Sequence, residues 1–327
     1  MQSNVITISR MKAFNSCRRL HSIKYEQGYR SIVQSEALTF GQLIHAGLEA
    51  WWKTGGCLQA AIDCMHLQSV AVDPITMAKA CVIMTGYDAR WLPEMEDFEV
   101  LGVEVEFRSR IRSPSTGYPC HDLESAGKID AIARRRSTGR VWFVEHKSSS
   151  EDLAAGSTYW QRLQMDPQIS AYYSGMQALG YEPEGCIYDV LSKFGERPKL
   201  ATPPEKRKVT KEGKLYAGQR DKDETVNEFA SRIQQKMAES PDSYFGRAEV
   251  VRTEAELLES QKDVYQTAVM VRDEERLGRA PRNPGNCFLY GRTCEFHSVC
   301  SGCGSLDDET KFKKLESVHA ELSTENQ

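Results

Sequence analysis

The sequence predicts an α/β protein in which a central mixed sheet is flanked by helices, with a mainly helical N-terminal part. Three observations predict it. Apolar residues recur at helical spacing over residues 36–53, and the period changes to alternation from about residue 99. Helical and strand-like segments then succeed one another to about residue 195. At 327 residues the chain can bury a substantial core, as one large domain or two ordinary ones.

In "EALTFGQLIHAGLEAWWK", Phe40, Leu43, Ile44, Gly47, Leu48, Trp51 and Trp52 share one helix face, and "TGG" at 54–56 ends the helix. Further helices are expected over about 57–70 and 74–92, the second closed by Pro93. "EVLGVEVEFRSRI" alternates as a strand does, and "AGKIDAIARRRSTGRVWFVEHK" reads as two strands joined by a tight polar turn. "STYWQRLQM" and "DPQISAYYSGMQALG" are helical, with Asp166 as N-cap and Pro167 as the first residue of a new turn. "GCIYDVLSKF" follows as a fourth strand. Residues 199–225 are polar, basic in their first half and aperiodic, which suggests a mobile insertion or an extended hairpin. Helices return at 224–238 and 254–278, and residues 306–327 form a charged tail, expected to be disordered or a lone helix.

A net charge of −4 gives no global basic signature, so affinity for a polyanion must come from local patches. No apolar run is long enough to span a bilayer, and the N-terminus lacks the apolar core of a signal peptide. A cytoplasmic protein without a membrane partner is expected. In such a chain ten cysteines point to metal binding or incidental burial rather than disulfides. Cys17, Cys57, Cys64, Cys81, Cys120 and Cys186 are dispersed, the pattern of small buried hydrophobes. Cys287, Cys294, Cys300 and Cys303 crowd together in "CFLYGRTCEFHSVCSGC".

The hairpin carries the chemistry. A two-residue turn centred on Ser137-Thr138 sets Asp130 opposite Glu145, and one centred on Thr138-Gly139 sets it opposite Lys147. Side chains two apart share a face, so either turn brings Asp130, Glu145 and Lys147 to one side of the sheet. One residue more or fewer would break this facing. Two neighbouring carboxylates repel unless a cation sits between them, and hard oxygen ligands suit Mg²⁺ or Mn²⁺. Such a cation activates water and neutralises a leaving oxygen. The lysine can orient or deprotonate the water, or stabilise charge on phosphorus. A solvated cross-strand salt bridge is the ordinary alternative.

"GKIDAIA…VWFVEHKSS" resembles the D…ExK core of the PD-(D/E)XK nuclease superfamily, and more narrowly its RecB-like branch, which includes CRISPR-associated exonucleases. Ile129 stands where the proline that names the superfamily would be. The resemblance implies the restriction-endonuclease-like core and a Mg²⁺- or Mn²⁺-dependent deoxyribonuclease with Asp130, Glu145 and Lys147 at its centre. "GQLIHAGLE" resembles the branch's upstream helix motif, which makes His45 a further metal ligand; His146, beside Glu145, joins the candidate ligands. From the residues alone, His45 borders the apolar face of Ile44 and Leu48, and a buried core histidine is the preferred reading. "QMDPQISAYY" resembles the motif with glutamine and tyrosine four apart. It implies that Gln168 and Tyr172 position the lysine and the substrate backbone, with Gln164 one turn back. An amphipathic helix edge is the alternative, and for Tyr173 and Met176 the preferred one.

"SRMKAFNSCRRLHSIKYEQGYR" and "CFLYGRTCEFHSVC" resemble the terminal cysteine segments of the branch. In its iron–sulfur members one early and three late cysteines hold a [4Fe–4S] cluster, here Cys17 with Cys287, Cys294 and Cys300, leaving Cys303 spare. That arrangement would make a single nuclease domain of residues 1–305, clasped at its ends. A cross-link over so long a loop restricts the unfolded chain by roughly 4–5 kcal/mol on a disulfide-derived scale. From spacing alone, the four cysteines at 287–303 could instead close a zinc site.

Phosphate contacts are expected from Arg134-Arg135-Arg136 and from Lys206-Arg207-Lys208 with Lys211 and Lys214, which could equally be solvated surface. The resemblance implies action on DNA ends or single strands, in recombination, repair, phage replication or CRISPR adaptation. The chain has no helicase motif, so a helicase, recombinase or CRISPR partner would be a separate polypeptide. A homo-oligomer is compatible with the sequence. Two other readings compete: a catalytically silent DNA-binding or assembly protein of the same fold, and a zinc-stabilised scaffold. Against the first, His45, Asp130, Glu145, Lys147, Gln168 and Tyr172 are all present.

Overall fold

A computed structural model of the chain describes residues 4–33, 35–68, 72–289, 291–319 and 322, with the side chains of residues 121 and 122 excepted. The N-terminal part comprises β1 (Val5–Ile6), α1 (Ile8–Ser16), α2 (Arg18–His21), β2 (Tyr29–Ser31), α3 (Glu36–Lys53), α4 (Leu58–Leu67) and α5 (Pro74–Met95). The centre holds β3 (Phe98–Arg112), β4 (Pro119–Arg135), β5 (Val141–Ser149), α6 (Thr158–Gln161), α7 (Pro167–Ala178) and β6 (Pro183–Ser192). The C-terminal part adds α8 (Val226–Glu239), β7 (Phe245–Val250), α9 (Glu254–Leu277), β8 (Phe288–Leu289), β9 (Arg292–Thr293), α10 (His297–Cys300) and β10 (Phe312–Lys314).

Local chemistry starts the helices where expected. Ser35 caps α3 by accepting from the Leu38 N–H at 3.2 Å. Asp73 does the same for α5 and Asp166 for α7, each followed by proline at the first helical position. One boundary differs: α5 runs through Pro93 to Met95. A proline in the last turn removes a single backbone bond, which the packing of Met95 and the solvent-exposed end of the helix tolerate.

The six-stranded mixed sheet has the order β1-β4-β5-β6-β7, with β3 on the far side of β4. β3 runs antiparallel along nearly all of β4 and occupies one of its edges. On the other edge β5 pairs antiparallel with Ala131–Arg134, while β1 pairs parallel at Glu124 and Ser125. Residues 126–130 therefore have no strand on that edge. The connection from β4 to β5 is a four-residue loop, 136–139, rather than the expected two-residue turn. Arg135 N–H donates to Arg140 O at 2.9 Å, and Gly139 takes φ 70°. An even number of loop residues preserves the facing, and the register Ala131↔Val144 sets Asp130 against Glu145.

Two cores sandwich the sheet. On one face Trp51, Trp52 and Tyr87 of α3 and α5, with Phe229 and Ile233 of α8, cover Ala131, Ala133, Trp142 and Val144. On the other, Tyr172, Tyr173 and Met176 of α7 cover Phe107, Ile132 and Phe143. β5 thus alternates its side chains between two buried layers. Phe107 is the close contact: a Cβ at Gly175 would lie 2.6 Å from its ring and one at Gly127 2.8 Å, so α7 can approach only over glycines. A third cluster joins α1 and α9 through Phe14, Ala268 and Val271.

The expected charged tail is corrected for its described part. β10 pairs antiparallel with β2 at the opposite end of the sequence, and Phe312 is buried with Ile23 and Phe296. Residues 320, 321 and 323–327 lie outside the described residues. The basic stretch at 199–225 has one isolated β-bridge, Val209↔Leu215, and is held at its end by Glu224, which pairs with Arg232 at 2.7 Å. Among the described residues no helix is long and apolar enough to cross a membrane.

Phe107 is 2% exposed and packs edge-on against Tyr172. Phe107→Ala is expected to cost about 3–5 kcal/mol of stability, read as a lowered denaturation midpoint. A midpoint equal to wild type would mean that α7 is seated by something else.

Candidate active site

The site lies where β4 parts from β5. Asp130 Oδ2 accepts the backbone N–H of His146 at 2.7 Å, taking the place of a ladder carbonyl. Farther along the same edge, the Tyr172 hydroxyl donates to Lys128 O at 2.7 Å. Glu145, 2% exposed, accepts from Gln168 Nε2 at 2.8 Å and pairs with Lys147, both bonds falling on Oε1. Gln168 Nε2 also donates to the Tyr172 hydroxyl at 2.9 Å. The glutamine and tyrosine of α7 thus brace the carboxylate and the strand edge. Glu145 Oε2 is buried without a hydrogen-bond partner.

From the facing helix, His45 brings Nδ1 to 3.7 Å from Asp130 Oδ1, with its side chain 39% exposed above the buried Ile44 and Leu48. A satisfied core histidine is therefore not what the structure contains. One ligand atom each from His45, Glu104 and Asp130 lie within 4.8 Å of one another. Glu104 was not expected. It stands opposite Asp130, between the pairs Val103↔Ala131 and Val105↔Ile129, and adopts φ 54°, a left-handed conformation unusual for a glutamate. "VEVEF" offers two glutamates, and only the β3–β4 register tells which of them meets Asp130.

His146 is corrected. Strand alternation turns its ring to the opposite face from Glu145 and Lys147, where it is 2% exposed beside Trp52 and Tyr87, with Nδ1 3.5 Å from Asp189 Oδ2. Its backbone serves the site and its imidazole does not. Gln164 is likewise off the stripe, because Asp166 breaks the helix between it and Gln168. Tyr173 and Met176 are core.

A sequence model of the PD-(D/E)XK nuclease superfamily matches residues 5–301. The chain belongs to the PD-(D/E)XK nuclease superfamily. None of the curated proteins matches it. Among solved structures it is similar to a protein from Eubacterium rectale called "Putative exonuclease", at 12% identity and a TM-score of 0.49, over 96% of this chain and 91% of that one.

The superfamily's acidic centre is strongly polarised here. Burial, with the charge of Asp130, pushes the Glu145 carboxyl up to about 8 against the pull of Lys147. Burial works downward on Lys147, but Glu145 and Asp130 outweigh it and hold the ammonium at about 12. Desolvation, above all, lowers the pKa of His45, so it is neutral and able to ligate near neutral pH. Burial also raises Glu104, which pairs with Lys128. PD-(D/E)XK nucleases use divalent metals, and these residues fit one. The oxygens are hard donors, the imidazole is neutral, and Glu145 Oε2 is a buried acceptor that nothing else satisfies.

Four of the cysteines gather where the N-terminal helices meet the C-terminal segment. Burial above all raises the Cys294 and Cys300 thiols, and Cys17 and Cys287 lie within electrostatic range of both. Asn283 Nδ2 donates to Ser16 O at 2.8 Å and Arg19 Nε to Ala280 O at 2.8 Å, so the two termini meet here. Cys303 is exposed. Among the described residues no three cysteine sulfurs lie within 4.8 Å of one another. Zn–S bonds of about 2.3 Å would set them roughly 3.8 Å apart.

Glu145 holds a proton up to about pH 8, whereas a bound cation needs the carboxylate. Mn²⁺ affinity is expected to rise by up to about tenfold per pH unit below that value and to level off above it. His45, already neutral, adds little to the slope. Calorimetric titration across this range checks it, with Glu145→Gln giving a weaker and flatter profile; a flat wild-type profile would contradict the assignment.

Proposed function

We propose that this protein is a divalent-cation-dependent deoxyribonuclease of the RecB-like branch, an exonuclease acting on DNA ends or single strands. The observation that carries the reading is the buried, uncommitted oxygen of Glu145 beside the group His45, Glu104 and Asp130. These four residues would hold Mg²⁺ or Mn²⁺. When bound, the ion would acidify water and polarise a phosphodiester oxygen.

The chain's own residues supply the rest. Lys147, held at about 12, stays protonated at neutral pH, which favours electrostatic stabilisation of the phosphorane-like charge over a role as base. Gln168 fixes the Glu145 rotamer through Oε1 and leaves Oε2 for the ion. Tyr172 ties α7 to the β4 edge, so that the carboxylate of Asp130 and the ammonium of Lys147 keep their separation. Asp130→Ala or Lys147→Ala should lower Mg²⁺- or Mn²⁺-dependent degradation of end-labelled DNA by about 10²-fold or more. Undiminished digestion by either variant would remove the reading.

A [4Fe–4S] cluster on Cys17, Cys287, Cys294 and Cys300 is the reading we favour, supported by the resemblance of the two cysteine segments and by the nearness of Cys17 and Cys287 to Cys294 and Cys300. Anaerobically purified protein is expected to be brown, absorbing near ~400 nm as thiolate-ligated iron–sulfur centres do, and Cys17→Ser should lose that band. Stoichiometric zinc in colourless wild-type protein would overturn the cluster.

A further inference from the structure

Lys193, just beyond the end of β6, is half-buried and makes no ion pair or side-chain hydrogen bond among the described residues. Its backbone N–H donates to Ser149 O at 2.6 Å, which fixes the residue at the end of the β5–β6 pair. Its ammonium rests in the space left by Gly41: a Cβ there would lie 3.7 Å from Nζ and 3.3 Å from Ser148 Oγ. Gly41 precedes His45 by one turn of α3, or about 6 Å along the helix axis. That is comparable to the separation of successive phosphates along a single nucleic-acid strand. A lone ammonium beside Gly41, one turn of α3 from His45, is placed to hold the phosphate next to the one at the site.

A second cation follows. Burial and the nearby charge of Arg292 lower the Lys193 pKa, so the two positive groups are close to each other. Arg292 is exposed and has no carboxylate partner among the described residues. It sits on the β8–β9 hairpin, inside the six-residue gap between Cys287 and Cys294. The same hairpin exposes Phe288 (63%) and Leu289 (42%), with one side of the Phe288 ring seated on His297 at 4.9 Å between centroids. Leu38, 51% exposed, lies one turn before Gly41 on α3. Two cations, unpaired among the described residues, near a solvent-facing aromatic ring that packs on His297 fit one class of ligand. Unpaired bases stack on such a ring, and a duplex hides them.

We propose that Lys193 and Arg292, with Phe288, form a track that leads a single DNA strand between the β8–β9 hairpin and α3 to the acidic site. The proposal deepens the nuclease reading and rests on it. It gives the hairpin in the cysteine segment a role in substrate binding that is separate from closing the fold.

The test measures binding of a fluorescein-labelled thymidine oligomer by anisotropy, without divalent cation, to the full chain carrying Asp130→Ala. Added Lys193→Gln or Arg292→Gln should each weaken binding several-fold and reduce the log–log salt slope by about 0.7. Phe288→Ala should weaken it roughly tenfold while leaving the slope unchanged and should erase the preference over a blunt duplex. Each variant is compared at an unchanged melting temperature; should Phe288→Ala melt early, Lys193→Gln, outside the hairpin, decides. Unaltered affinity and slope in Lys193→Gln and Arg292→Gln, or a wild-type preference for duplex, overturns the track. Wild-type digestion of DNA with unaltered binding by these variants would sink the track and leave the nuclease standing. Binding through Lys193 and Arg292 by a protein that digests no DNA would do the reverse.

Discussion

The site depends on an interruption in strand pairing. β4 is shared on one edge between β5 and β1, and neither reaches residues 126–130. An open strand edge normally invites a further strand, and its backbone groups need partners. Here side chains provide them: the Tyr172 hydroxyl reaches Lys128 O, and Asp130 receives the His146 N–H. The cleft stays open because it is satisfied by groups that belong to the site. On the other edge the left-handed conformation of Glu104 turns its carboxylate toward the same place, an unfavourable backbone state of the kind that persists where function needs it.

Charge balance follows from this geometry. Glu104 and Glu145 meet Asp130 in a partly desolvated space, where burial above all, and then the charge of Asp130, disfavours ionisation of both glutamates. Lys128 and Lys147 offset two of them through direct pairs. A buried carboxylate with one braced and one idle oxygen would be a poor structural choice, since an unsatisfied acceptor costs about 1–3 kcal/mol. The same arrangement suits a ligand that brings positive charge. On the opposite face, burial would raise the Asp189 carboxyl, yet Arg247 and His146 keep it well below the usual carboxylate range. That buried network anchors β5 from behind.

The ends of the chain are joined twice over. Ser16 O takes the amides of Asn283 and Asn286, and β10 adds to β2. Protein contacts thus help to seat the cysteine segment on the N-terminal helices.

The sequence by itself determined the helices, the paired strands and most of the site. α3, α7 and β5 follow from periodicity and capping, which are local. An even loop was enough to bring Asp130, Glu145 and Lys147 to one face, and the register then set Asp130 against Glu145. The GxxxH, ExK and QxxxY spacings placed His45, Glu145, Lys147, Gln168 and Tyr172 through the superfamily resemblance. Tertiary structure decided what depends on contacts between distant segments. The β3–β4 register selected Glu104 over Glu106, and pairing with β2 turned part of a charged tail into a strand. Alternation along β5 excluded the His146 ring, a consequence already latent in its position between Glu145 and Lys147. Lys193 and Arg292 carry no motif, because a cation's partners are set by which surfaces fold together, and that information is spread over the whole chain.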